Sequence, residues 1–109
     1  MGLELNEIKY SLFLNVELGR LLIRRHMHPD LFLRLWKMGD IRAFTYLRGS
    51  VLYLKVNAGA GTVGKGGKAA KGDVIYDSAE DALGIVLADL ELGKGEDVVG
   101  LISNFFVSM

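Results

Sequence analysis

His26 and His28 stand two residues apart, a spacing that on a strand would turn both imidazoles to one face as metal ligands, with Asp30 close enough to be a third. His28, however, precedes Pro29 at the start of a helical pattern, where a capping role is natural, and the chain has no further histidine. No metal is therefore expected. Ser11, Ser50, Ser78 and Ser103 offer hydroxyls to the histidines, but no spacing marks a triad or a nucleophile elbow. Asp77, Glu80 and Asp81 would serve acid/base chemistry if they were buried together; as a solvated turn they would serve none. The run Arg42-Ala43-Phe44-Thr45-Tyr46-Leu47-Arg48 interleaves aromatic rings with bases, as stacking on nucleobases requires. On a strand, the same alternation gives Phe44 and Tyr46 to packing.

Residues 57–72 are rich in glycine and carry Lys65, Lys68 and Lys71. Gly59-Ala60-Gly61-Thr62-Val63-Gly64 fits a dinucleotide fingerprint, and residues 59–65 fit the first seven positions of a phosphate-binding loop. Both motifs need a helix that opens among the glycines and aims its amide hydrogens at phosphate. Gly66, Gly67 and Gly72 oppose such a helix, and Gly66 stands where a magnesium-holding Ser or Thr belongs. The expectation is a long surface loop with solvated lysines, one that could be shortened without unfolding the domain.

Short strands must position these residues. From Ile8 to Leu18 the even positions are apolar and the odd ones polar except Phe13, which is a half-buried strand; Gly19 then permits reversal into residues 20–27. One helix is expected from Pro29 to Met38, with proline at its first position, Asp30 at the positive end of its dipole and Gly39 beyond its end. Leu31, Leu35 and Met38 form its apolar stripe, with Phe32 and Trp36 beside them. A second hairpin turns at Arg48-Gly49-Ser50 between residues 41–47 and 51–56, and further strands cover residues 73–76, 82–88 and 98–107. About seven strands and one helix predict a mainly β fold, a small closed barrel with Leu12, Leu14, Val16, Leu83, Ile85 and Leu87 inside.

Composition bounds the rest. The chain has 109 residues, 50% hydrophobic and 24% charged, which suits a single domain spanning 1–109. No cysteine is present, so disulfide, thiolate and cysteine-nucleophile chemistry are excluded. The acidic start is not that of a secretory signal, and no apolar stretch approaches the roughly 20 residues that span a bilayer. A cytoplasmic protein without membrane partners is expected. Residues 1–72 hold twelve Lys and Arg against five acids, while residues 73–109 hold one Lys against eight acids. Interleaved strands would mix these charges in one sheet, which disfavours nucleic acid as a partner. The apolar surplus points to a homo-oligomer.

From the helix onward the order of segments resembles a family of small bacterial and archaeal proteins with a cyclophilin-like barrel. The resemblance is carried by Tyr46-Leu47-Arg48-Gly49-Ser50-Val51-Leu52-Tyr53, Gly72-Asp73-Val74-Ile75-Tyr76, Ala82-Leu83-Gly84-Ile85 and Val98-Val99-Gly100-Leu101-Ile102. Asp77-Ser78-Ala79-Glu80 replaces the family's Trp-Pro-Pro-Gly, and Val86-Leu87-Ala88-Asp89 replaces the end of its Phe-Phe-Gly strand. What the resemblance implies is a closed cyclophilin-like barrel with a shallow cleft. Tyr46, Arg48, Tyr53, Tyr76 and Asp77 are the expected ligand-binding residues, because they lie in or beside the matched segments and join flat apolar surface to polar tips. A small molecule or a peptide is the expected ligand, and no cofactor is expected. Two other functions stay open: a vestigial prolyl isomerase or small enzyme using the acids at Asp77, Glu80 and Asp81, and a nucleic-acid-binding barrel using Lys65, Lys68 and Lys71 with Arg42 and Arg48.

Overall fold

The structure, a computed structural model, describes residues 11–16, 19–38, 41 and 45–105. Strand β1 (Ser11–Val16) turns into β2 (Gly19–Arg24), with Val16 opposite Gly19. The side chains of Leu12, Leu14 and Val16, and the expected cap at Gly39, lie outside the described residues. Helix α1 (Pro29–Met38) follows; the His28 carbonyl accepts from the Phe32 amide at 3.0 Å and its ring caps the Leu31 amide at 3.2 Å. Leu31, Phe32 and Leu35 are fully buried, so one face of α1 is pinned to the core. Trp36 and Met38 are each 39% exposed, so the buried stripe is narrower than the sequence pattern.

Strands β3 (Thr45–Arg48) and β4 (Val51–Lys55) form a tight hairpin. Gly49 has φ 63 and Ser50 has negative φ, the type II′ arrangement whose twist suits a two-residue hairpin. Beyond it lie β5 (Lys68–Ala69), β6 (Asp73–Asp77), β7 (Ala82–Val86), β8 (Leu90–Glu91) and the long β9 (Glu96–Phe105). All pairings are antiparallel. The main sheet runs β1-β2-β9-β6-β7-β4-β3, and β5 with β8 makes a separate two-stranded ribbon. Among the described residues the fold is mainly β with one helix. Among the described residues β1 and β3 end the sheet without pairing to each other, so the pairings do not close it into a barrel.

Strand β7 is buried along its whole length because the sheet is covered on both faces. Leu83 and Ile85 join Leu21, Ile23, Val74, Tyr76, Val99 and the helix in one core, against which Leu87 packs partly buried. Ala82 and Val86 join Val51, Tyr53, Ala69 and Ile75 in a second core, flanked by Leu90 and Leu92 from the β8 region. Alternation thus sends neighbouring residues of one strand to different cores. Gly100 is required where β9 crosses β2, since a Cβ there would stand 1.8 Å from the Leu22 carbonyl oxygen.

Candidate functional site

Hairpin register sets Tyr46 opposite Tyr53, and their rings stack with centroids 5.5 Å apart at 21°. Arg48 lies two residues further along β3, hence on the same face, and its guanidinium sits 5.4 Å from the Tyr53 ring centroid. Its Nη1 donates to Glu80 Oε1 at 2.7 Å, and its Nη2 stands 3.9 Å from Asp77 Oδ2. Asp77 is buried and shapes the β6–β7 turn that presents Glu80: its Oδ1 accepts from the Ala79 and Glu80 amides at 3.0 and 3.3 Å. The Tyr53 ring runs over Gly84 of β7, where a Cβ would meet Tyr53 Cε1 at 3.1 Å and Val51 Cγ1 at 2.5 Å. Having crossed that glycine, the Tyr53 hydroxyl donates to Glu96 Oε2 at 3.3 Å.

Burial, with Glu96 and Asp77 adding to it, pushes the Tyr53 phenol up to about 12. Burial also raises Tyr46, helped by the Glu80 charge. The hydrogen bond from Arg48 to Glu80 raises the guanidinium still further above its ordinary value. At neutral pH this face therefore offers two neutral phenols and one fixed cation. The Tyr46 hydroxyl is buried and has no hydrogen-bond partner among the described residues. Leu47, on the sheet-end strand β3, is 63% exposed.

Tyr76 lies apart from this group. It neighbours Asp77 on β6 and so faces the other side of the sheet, in the core beneath α1. Its ring meets that of His28 edge to face, with centroids 5.7 Å apart. The hydroxyl lies 2.6 Å from Asp81 Oδ1, its acceptor, and accepts from the Ala60 amide at 3.2 Å. Burial and the Asp81 carboxylate both raise the Tyr76 phenol. His26 is exposed while His28 is buried, so the two rings do not converge. Because His28 Nδ1 accepts from Leu31, its proton sits on Nε2, 2.6 Å from the Gly61 carbonyl oxygen. Among the described residues no three His, Asp or Glu side chains are placed to hold a metal ion.

The residues that sequence reasoning undervalued are Asp81 and Asp97. Asp81 Oδ2 accepts from the Gly59 amide at 2.9 Å and its Oδ1 from the Ala58 amide at 3.0 Å. Asp97, buried, accepts from Val63, Gly64 and the Thr62 hydroxyl at 2.8 to 3.0 Å. Burial alone would raise the Asp97 carboxyl, but these donors and nearby His28 hold it below the usual carboxylate value. The amides of 59, 63 and 64 that a phosphate would need are taken by the protein's own carboxylates. The segment is thus anchored rather than freely removable, and Ala60 is part of the core. Lys65, Lys68 and Lys71 are exposed, as expected, while Arg42 lies outside the described residues. Asp77, Glu80 and Asp81 do not form a shared acid/base site: Asp77 caps the turn, Glu80 holds Arg48, and Asp81 holds residues 58–59 and Tyr76.

A separate open cavity of about 470 Å³ lies between the β5–β8 ribbon and the start of β6, lined by Lys68 together with Asp73, Asp89 and Glu91. Asp73 and Asp89 there accept from the Ala70 and Lys71 amides at 2.9 Å, so both carboxylates shape the turn. Comparison of the chain with protein-family models, with curated proteins and with solved structures gave no match.

Proposed function

We propose that the chain is a binding module that holds a small molecule or a peptide on the face built by Tyr46, Arg48, Tyr53 and Asp77. The observation that carries this reading is the buried, unpartnered Tyr46 hydroxyl beside a stacked aromatic pair and a fixed guanidinium. Together they offer a flat apolar surface with oriented donors, which is what a planar group or an extended peptide needs. Tyr76 supports the fold behind this face rather than the face itself. The reading includes a cyclophilin-like barrel, in which the sheet wraps its helix-covered core, located in the cytoplasm and assembled as a homo-oligomer. The exposed Leu47 and Trp36 are the kind of apolar surface that an oligomer covers.

The test is an NMR-observed screen of planar small molecules and proline-containing peptides against the full chain. Binders should shift Tyr46, Arg48 and Tyr53 resonances and lose at least tenfold in affinity in Arg48→Ala. A screen whose hits all map elsewhere, or bind Arg48→Ala equally well, would overturn the reading.

A further inference from the structure

Residues 58–64 cross the helix-covered face as a strap whose main chain is read by side chains. The Ala58 and Gly59 amides go to Asp81, and the Ala58 carbonyl accepts from Arg34 Nη1 at 3.1 Å. Tyr76 meets both the amide and the carbonyl of Ala60, at 3.2 and 3.1 Å. His28 takes the Gly61 carbonyl, and Asp97 takes the Thr62 hydroxyl with the amides of Val63 and Gly64. No strand pairing holds these residues. Only Ala60 is buried, at 6% exposure; Gly59 and Gly61 on either side are exposed. Side chains reading successive main-chain groups around one small buried anchor is how a receptor holds an extended peptide.

We infer that the groove formed by His28, Tyr76, Asp81 and Asp97 is a recognition site for an extended small-residue peptide, and that residues 58–64 occupy it in cis as an internal ligand. This site lies on the opposite face from Tyr46 and Arg48, and does not depend on the function proposed for them. The ligand must carry a small residue at the Ala60 position, because that methyl group reaches the core occupied by Tyr76 and Leu83. A hydroxyl two residues later suits Asp97. Tethering sets the competition: a strap at an effective concentration of about 1 mM suppresses a free peptide of about 100 μM dissociation constant roughly tenfold.

The test uses Ala60→Glu in the full chain, which ejects the strap because a carboxylate is costly to bury in the core, and leaves every groove residue intact. A labelled peptide of residues 57–64, Asn-Ala-Gly-Ala-Gly-Thr-Val-Gly, should bind the folded variant at least tenfold more tightly than it binds the unaltered protein. Adding Tyr76→Phe should remove most of that gain, and a peptide with glutamate at the anchor should not bind. A folded Ala60→Glu protein that ignores the peptide, or binds both peptides equally, overturns the inference. Should Ala60→Glu fail to fold, hydrogen exchange on the unaltered protein decides. The amides of Gly59, Val63 and Gly64 should exchange at least tenfold faster than those of Val74 and Ile85, and faster again in Asp97→Asn while the ladder amides hold. Strap and ladder amides exchanging together would show that the strap opens only with global unfolding, and would end the proposal.

Discussion

The two faces of the β6–β7 region treat their polar groups differently. Under the strap, Tyr76, His28, Asp81 and Asp97 are each paired with main-chain groups of residues 58–64, several of them twice. On the other face, Tyr53 and Arg48 have partners while the Tyr46 hydroxyl is buried with none among the described residues. A fully satisfied polar network fixes one arrangement of the chain, whereas an orphaned donor leaves binding capacity for something outside it. The first face therefore has its polar groups filled by the chain's own strap, and the second has one left open. Substitutions on either face test that division.

Leu35→Ala should cost about 2–5 kcal/mol, because a fully buried leucine on α1 leaves a cavity that the sheet cannot collapse to fill. Urea unfolding measures it. A loss below about 0.5 kcal/mol, the scale of surface changes, would mean that α1 contributes little to the strap-bearing face.

Tyr76→Phe should cost about 1–3 kcal/mol, since it strips the acceptor from the buried Ala60 amide and the donor from Asp81. Thermal or urea unfolding would show the loss, and the Ala60 amide should exchange faster. No change in either would erase the contrast between the faces.

Much of this arrangement was legible in the sequence. Leu83 and Ile85 were placed inside, where they are, and Pro29 with Asp30 marked where α1 begins. The Arg48-Gly49-Ser50 turn set the register that brings Tyr46, Arg48 and Tyr53 together. The same alternation separates Tyr76 from Asp77, and applying it to those two positions would have placed them on different faces. The roles of Asp81 and Asp97 had no local signal. Asp81 is 22 residues from Gly59, and Asp97 is 34 from Val63, so no sequence window contains both partners. The β5–β8 ribbon was equally hidden, because two-residue strands are too short to show a period. Trp36 and Met38 fit the helical stripe by spacing, yet α1 buries only the face that carries Leu31, Phe32 and Leu35.

Acid should act on the strap. Asp97 has a carboxyl held below its unfolded value, so its contribution is present above the ordinary carboxylate pKa near 4 and is lost as pH falls through the lower folded value. Stability followed by circular dichroism from pH 5 down to pH 2 should decline, and Asp97→Asn should flatten that part of the decline. Alkali acts in the opposite sense on Tyr53. Its folded phenol ionises near 12, so stability is intact below the unfolded value near 10 and drains away between the two. Tyr53→Phe, read over pH 9 to 12, should remove that dependence.

The smallest expected effect separates the faces most sharply. Tyr46→Phe deletes a hydroxyl that is already desolvated and bonded to none of the described residues, so no partner among them is left stranded and the stacking on Tyr53 survives. Stability should stay within about 0.5 kcal/mol of the unaltered protein or rise slightly, in contrast to the loss from the same chemical change at Tyr76. If Tyr46 serves a ligand, the deletion should still weaken binding of whatever the NMR screen finds, by about fivefold to thirtyfold for one lost hydrogen bond of roughly 1–2 kcal/mol. Unfolding curves and ligand titrations on the same variant therefore answer different questions. Unchanged stability with weakened binding is the signature of a donor reserved for a ligand. A stability loss comparable to that of Tyr76→Phe would show that the Tyr46 hydroxyl is paired in solution, and the distinction between a face filled by the strap and a face left open would fall with it.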